Sequence, residues 1–334
     1  YLTINDIKKI NEDSILIYHN NAYIKGYNYR TLEDVKEVFK KSEDKIKWIK
    51  DYVSELYTTF QNLKEFESAK NLYAQKLNQL GVPAYIYPFI IKGYKYFGDD
   101  NKKLNSLFHL LEILIFRARL INSRANIQER LNSILLSFKG DLVKLKAKLK
   151  KVLNDSWYWG DSNTKHYLSG SMYGNKVLNY LLWQYEAMLQ KKGCLLNNMS
   201  LEEEQIEHIS PQRPTNGEPI STGYDIDENN EYSEDFMAKH LHSLGNLMLI
   251  SAKHNKEVGN KAFSNKLASY HENPLLNQQA EIKKFASKEN GLDNWKTASI
   301  IERQKELLDF AVKNWSFDSV DIKYLEDILV AVES

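Results

Sequence analysis

The chain has 334 residues, of which 43% are hydrophobic and 12% aromatic, enough apolar material for two domain cores and too much for an intrinsically disordered chain. Its formal net charge is +1, but residues 1–200 carry 31 Lys and Arg against 20 Asp and Glu, whereas residues 201–334 carry 14 against 24. This asymmetry favours two domains with different roles, the basic one able to bind a polyanion. The alternative is that helix surfaces simply vary in charge.

Cysteine content and hydropathy limit the class of protein. Cys194 is the only cysteine, so an internal disulfide and a four-thiolate zinc site are both excluded. The most apolar stretch, Leu107–Phe116, is interrupted by His109 and Glu112 and predicts a buried helix rather than a membrane span. We expect a protein of the reducing cytoplasm without a membrane partner. Because the sequence opens at Tyr1 rather than Met, we also expect a piece of a longer protein.

The first two thirds of the chain show mainly helical periodicity. Ile15–Tyr29 is rich in β-branched residues and tyrosine and predicts a hairpin. From Thr31 to Leu80, apolar residues recur three and four positions apart, which predicts amphipathic helices. Further helices are predicted at Leu104–Arg119, Asn126–Leu153 and Lys176–Leu189. The exposed lysines of 139–151 could follow nucleic-acid phosphates or could simply be solvated.

The pattern changes after Cys194. Glu207–Phe236 contains several prolines, glycines and acids, which is typical of a long irregular loop, and long loops often carry function. A short strand is predicted at Leu247–Ile250 and a helix within Asn255–Tyr270. The tail from Asn294 to Val332 again has helical periodicity.

Two short segments combine residue types suited to phosphodiester hydrolysis. In Ile206–Pro211 an acid and a histidine are adjacent at the end of a predicted strand, and in the second segment Asn246 and Asn255 flank another strand that leads into a helix. Hydrolysis of a phosphodiester needs a base that deprotonates water and a cation that stabilises the developing charge. Carboxylate and amide oxygens suit Mg²⁺, and a neighbouring imidazole that does not bind the metal can be the base.

These motifs resemble the ββα-metal (HNH) nuclease fold. More narrowly, they are similar to the C-terminal HNH domain of GmrSD-type, modification-dependent (type IV) restriction endonucleases. The resemblance is sharpest over residues 176–312. It implies a mainly α fold, in which a basic helical domain (residues 1–195) precedes an HNH endonuclease domain with C-terminal helices (residues 196–334). The segments that carry it are Ile206–Gln212, His242–Leu249, Phe263–Lys266 and Arg303, with Phe116–Arg119 and Leu181–Glu186 upstream.

The resemblance also implies a role for each residue of the motif. His208 would be the general base, and Glu207 the first ligand of one divalent cation or, alternatively, the residue that orients the histidine. Asn255 would be the second ligand, with helix capping as its alternative role. Asn246 would hydrogen-bond the loop between the strands and so orient the base. His242 would either contact phosphate or cap a strand. Mg²⁺ is the expected cation and Mn²⁺ the alternative.

One position departs from the family pattern. Many HNH enzymes place another ligand one helical turn after the first, but position 259 is Gly, so water and phosphate oxygens would complete the shell. Lys261, Lys266 and Arg303 could bind the nucleic-acid backbone, or could be solvated or ion-paired with the acidic loop.

The resulting expectation is a metal-dependent DNA endonuclease or nickase module of a phage-defence system that acts on foreign or modified DNA. The family resemblance also implies an upstream nucleotide-hydrolysing domain outside this chain, and cutting both strands would favour a homo-oligomer. Two alternatives remain open: an HNH ribonuclease toxin, and a catalytically inactive helical module that binds DNA or a partner.

Overall fold

The computed structural model describes residues 10–98, 100–155, 158–190, 203–212, 217–272 and 276–322. Of these, 67% are helical and 6% lie in strands, which confirms the mainly α prediction. No helix among the described residues is long and apolar enough to cross a membrane. The chain divides into two compact units, each described separately below.

Unit 1 contains the described residues up to Ala118, Asn122–Gly160 and those from Trp315 onward. Its apolar centre is α6, whose residues Leu107–Phe116 include His109 and Glu112 and are all buried, as the sequence predicts. A short 3₁₀ turn, Phe317–Ser319, belongs to the same unit. Its helices are α1 (Glu12–Asn20), α2 (Leu32–Lys41), α3 (Lys45–Glu67), α4 (Leu72–Leu80), α5 (Tyr87–Phe97), α6 (Asn101–Ile121, the last three residues in unit 2), α7 (Ile127–Ser137) and α8 (Leu142–Asp155).

The predicted hairpin at Ile15–Tyr29 is wrong. The segment forms most of α1, a π-helical turn at Asn21–Lys25 and a 3₁₀ turn at Gly26–Asn28. Asn11 starts α1 because its side chain accepts a hydrogen bond from the backbone N–H of Ser14. Helix capping and the packing of Ile15 in the core outweigh the β propensity of the segment, which depends strongly on context.

Unit 2 contains Arg119–Ile121 and the described part of Asp161–Asn314. The predicted domain boundary at residues 195–196 lies outside the described residues and stays a prediction. The elements of unit 2 are α9 (Asp161–Ser169), α10 (Leu178–Leu189), β1 (Glu204–His208), α11 (Glu234–Lys239), β2 (Leu247–Ser251), α12 (Ala252–Val258), α13 (Phe263–Glu272), α14 (Asn277–Ala280), α15 (Ile282–Phe285), β3 (Ser287–Glu289), β4 (Leu292–Asn294) and α16 (Thr297–Asn314).

The strand pair β1–β2 and the helix α12 give unit 2 the predicted ββα order. The two strands are antiparallel, with Glu207 opposite Met248 and His208 opposite Leu247. All five residues of β2 are buried, so this strand is covered on both faces. Ser251 starts α12 by accepting a hydrogen bond from the N–H of His254. The site residues at the end of β1 therefore lie beside a fixed, buried strand.

Candidate active site

His208 and His242 form a hydrogen-bonded pair at the end of β1. Nε2 of His208 lies 3.0 Å from Nδ1 of His242, so one ring donates and the other accepts. His208 is only 7% exposed. His242 precedes the 3₁₀ turn Leu244–Asn246 that leads into β2, so the antiparallel strands bring the two rings together. The predicted base therefore has a histidine partner that comes from the second segment of the motif.

Burial keeps both rings neutral. The protein interior, with smaller contributions from His242 and Lys266, lowers the pKa of His208 to about 3. Burial also lowers the pKa of His242. At neutral pH each ring therefore has one N–H and one nitrogen lone pair. In the tautomer in which Nε2–H of His208 donates to His242, the Nδ1 lone pair of His208 is left to accept a proton from water.

Two further side chains border His208, and the sequence patterns predicted neither of them as part of the site. The centroid of the Tyr173 ring lies 4.5 Å from that of His208, edge to face, and 5.4 Å from that of His242, stacked. The amide nitrogen of Gln212 lies 3.3 Å from both ring nitrogens of His208. Tyr173 lies on the loop between α9 and α10, and no local sequence pattern links this loop to the motif.

Asn246 joins the loops on either side of the strand pair. Its Oδ1 accepts hydrogen bonds from the backbone N–H of Ser210 (2.7 Å) and from Nε1 of Trp295 (3.1 Å). Its Nδ2 donates to the carbonyl oxygens of Ser210 (3.1 Å) and Leu241 (2.9 Å). These bonds hold the loop that follows His208. The Asn246 side chain is fully buried.

Position 245, directly before Asn246, is a glycine because no side chain fits there. A Cβ on Gly245 would lie 2.0 Å from the carbonyl oxygen of Ile300 in α16. We therefore expect Gly245→Ala to lower the free energy of unfolding by about 1–3 kcal/mol or more, since the turn must move away from α16. Urea unfolding of the whole chain measures this loss. Gly170→Ala is the matched control, since a Cβ there meets only ordinary contacts at 3.6 Å and beyond. Equal stability of Gly245→Ala and the native chain would contradict the prediction.

Glu207 lies on the other face of β1, in a buried ion pair with Lys266 of α13. Nζ of Lys266 is 2.6 Å from Oε1 of Glu207, and the hydroxyl of Tyr270 donates to the same oxygen at 2.7 Å. The Lys266 and Glu207 side chains are 1% and 6% exposed. Burial lowers the pKa of Lys266, and the Glu207 carboxylate opposes that shift. Nζ of Lys266 also donates to the carbonyl oxygen of His208 at 3.1 Å.

Both predicted metal ligands, Glu207 and Asn255, have protein partners in the structure, and their role as ligands stays a prediction. Oε1 of Glu207 is already neutralised by an ammonium group, which would repel a divalent cation at the same oxygen. Nδ2 of Asn255 donates to Oε1 of Gln205 at 2.6 Å. Within the described parts of the chain, no group of three or more His, Cys, Asp and Glu residues could hold a metal ion.

Gly259 has a structural reason for departing from the family pattern. Helix α12 ends at Val258, and Gly259 follows with a φ of +47°, a conformation that glycine adopts most easily. Its N–H donates to the carbonyl oxygen of Asn255 at 2.9 Å. Position 259 therefore ends the helix, and α12 has no further turn that could present a ligand.

The three basic residues predicted to bind the nucleic-acid backbone differ in exposure. Lys261 is exposed and stays a candidate. Lys266 is buried in its ion pair, and Arg303 is fully buried, so neither reaches a phosphate at the surface. Arg303 binds the Glu281 carboxylate at 3.1 Å and donates to the carbonyl oxygens of Leu244, Gly245 and Leu247. For Lys266 and Arg303 the structure thus replaces the predicted contact with a structural role.

Comparison with known proteins bears on the same part of the chain. No curated protein and no solved structure matches the chain. The matching region of a family model nearly coincides with unit 2 and contains all of the site residues described above. The match relates this region to the nuclease module of restriction endonucleases. Residues 159–310 match the model of the C-terminal domain of GmrSD restriction endonucleases, which confirms the resemblance that the sequence motifs indicate.

Proposed function

We propose that unit 2 is an endonuclease that hydrolyses phosphodiester bonds in DNA, with His208 as the general base. The observation that carries this proposal is the buried His208, hydrogen-bonded to His242, at the position that the family motif gives to the base. The family match supports the nuclease class and DNA as the substrate. A role in defence against foreign or modified DNA follows from the same family.

In the proposed reaction His208 removes a proton from a water molecule, and the water oxygen bonds to phosphorus. The bond from phosphorus to the 3′ oxygen breaks, and that oxygen takes up a proton, so the products are a 5′-phosphate and a 3′-hydroxyl. Asn246 and Lys266 hold the backbone beside His208, which fixes the direction of its ring. These two residues position the base and do not touch the reacting atoms.

A divalent cation, Mg²⁺ or Mn²⁺, stays a prediction, and so do Glu207 and Asn255 as its ligands. The expected outcome for the purified chain with supercoiled plasmid is open-circle or linear product that depends on one of these ions and disappears with EDTA. Product that persists in EDTA would contradict the cation requirement but not the nuclease.

The other functions are distinguished by the substrate. Cleavage of structured RNA with intact plasmid would favour the ribonuclease alternative. Binding that falls steeply with salt, without cleavage of either substrate, would favour the inactive DNA-binding module. An upstream nucleotide-hydrolysing domain and a homo-oligomer stay predictions.

A further inference from the structure

Tyr173 presents an exposed aromatic ring directly beside the histidine pair. The ring is 49% exposed, although one of its faces stacks on His242 at a centroid distance of 5.4 Å and an interplanar angle of 15°. Its edge contact with His208 has a centroid distance of 4.5 Å. A half-exposed tyrosine at this position presents apolar surface next to the reacting groups.

The backbone that carries Tyr173 is fixed on both sides. The N–H of Met172, which is fully buried, donates to the carbonyl oxygen of His242 at 2.8 Å, and Ser171 pairs with Ser243 as an antiparallel bridge. On the other side, Nδ2 of Asn175 donates to the carbonyl oxygen of Leu120 at 2.9 Å. The ring is therefore held against the histidines before any ligand arrives, which lowers the entropic cost of binding.

We propose that Tyr173 is a substrate-binding residue that stacks on a nucleobase next to the phosphate that is cut. The proposal rests on the proposed nuclease function and specifies how the substrate is bound. In a duplex each base is covered by its neighbours, so the nucleotide bound by Tyr173 leaves the base stack. The site accordingly takes nucleic acid that is single-stranded or locally opened at the position of cleavage. Stacking of this kind does not depend on the identity of the base.

The test measures the affinity of DNA for the whole chain in the His208→Ala background, so that cleavage does not interfere. Fluorescence anisotropy is recorded with a single-stranded oligonucleotide and with an oligonucleotide of the same length made of abasic nucleotides. We expect Tyr173→Leu to weaken binding of the normal oligonucleotide by about 5- to 150-fold, the loss of one stacked base. Binding of the abasic oligonucleotide should not change, because it has no base to stack.

Two variants serve as controls. Tyr173→Phe keeps the stacking surface and should bind both oligonucleotides like the parent. Tyr167→Leu removes another exposed tyrosine, 42% exposed on α9, whose ring contacts His166 of its own helix. It should leave both affinities unchanged.

Equal loss of affinity for both oligonucleotides would overturn the proposal, since Tyr173 would then act on the DNA backbone or on the histidines. No loss for either oligonucleotide would overturn it as well. These outcomes differ from failure of the proposed function, in which the native chain leaves plasmid and RNA intact under all metal conditions whatever its affinity for oligonucleotides.

Discussion

Replacing His208 with alanine is expected to lower the rate of DNA cleavage by about 10²–10⁴-fold, the usual contribution of a general base. The reason is that His208 has a neutral imidazole ring, whereas alanine has no group that accepts a proton. The rate of plasmid nicking at saturating enzyme measures the effect directly, since it follows the chemical step rather than binding.

His166→Ala is the matched control for this experiment. His166 lies in the same unit on α9, but its side chain is exposed and its ring contacts Tyr167, so nicking should continue at the native rate. Cleavage by His208→Ala at the native rate would show that His208 takes no part in the reaction. Circular dichroism of both variants shows whether either change disturbs the fold.

Replacing Lys266 with methionine is expected to lower the free energy of unfolding by about 3–5 kcal/mol, the usual cost of breaking a buried ion pair by removing one partner. The change leaves the Glu207 carboxylate buried without its ammonium partner, while the Tyr270 hydroxyl still donates to it. Urea unfolding of the whole chain, followed by circular dichroism, measures the loss.

A second substitution separates the ion pair from side-chain packing. In the double variant Glu207→Gln with Lys266→Met both charges are gone, and glutamine still accepts the Tyr270 hydrogen bond, so much of the lost stability should return. Lys239→Met is the surface control. Lys239 pairs with Asp235 at 2.6 Å, but both side chains are about two-thirds exposed, and its loss should change the stability by less than about 1 kcal/mol. A double variant no more stable than Lys266→Met would show that the charge of Glu207 is not the cause.

The single variant Glu207→Gln distinguishes the two predicted roles of Glu207, metal ligand and residue that orients His208. If Glu207 only fixes the backbone of His208, Glu207→Gln should not change the concentration of Mg²⁺ or Mn²⁺ at half-maximal nicking. If Glu207 is a metal ligand, as the family resemblance implies, that concentration should rise, because an amide oxygen is a weaker ligand than a carboxylate.

Local sequence patterns were sufficient for most of the helices and for the strand after the loop. The three- and four-residue spacing of apolar side chains located α6 and α10 to within a few residues, and the apolar run at Leu247–Ile250 located β2. The same type of reasoning failed at Ile15–Tyr29, since its β-branched and aromatic residues suit either a strand or a helix. Capping by Asn11 and core packing favour the helix.

The sequence by itself indicated the resemblance to the GmrSD C-terminal domain, the ββα order and the candidate base, because each depends on residues close together in the chain. The tertiary structure decided what surrounds that base: Tyr173 and His242 beside His208, and Lys266 beside Glu207. It also showed that Lys266 and Arg303, which resemble DNA-binding residues in sequence, are buried. Whether a charged side chain binds a ligand or a buried partner depends on contacts between segments distant in the chain, and local spacing carries no information about them.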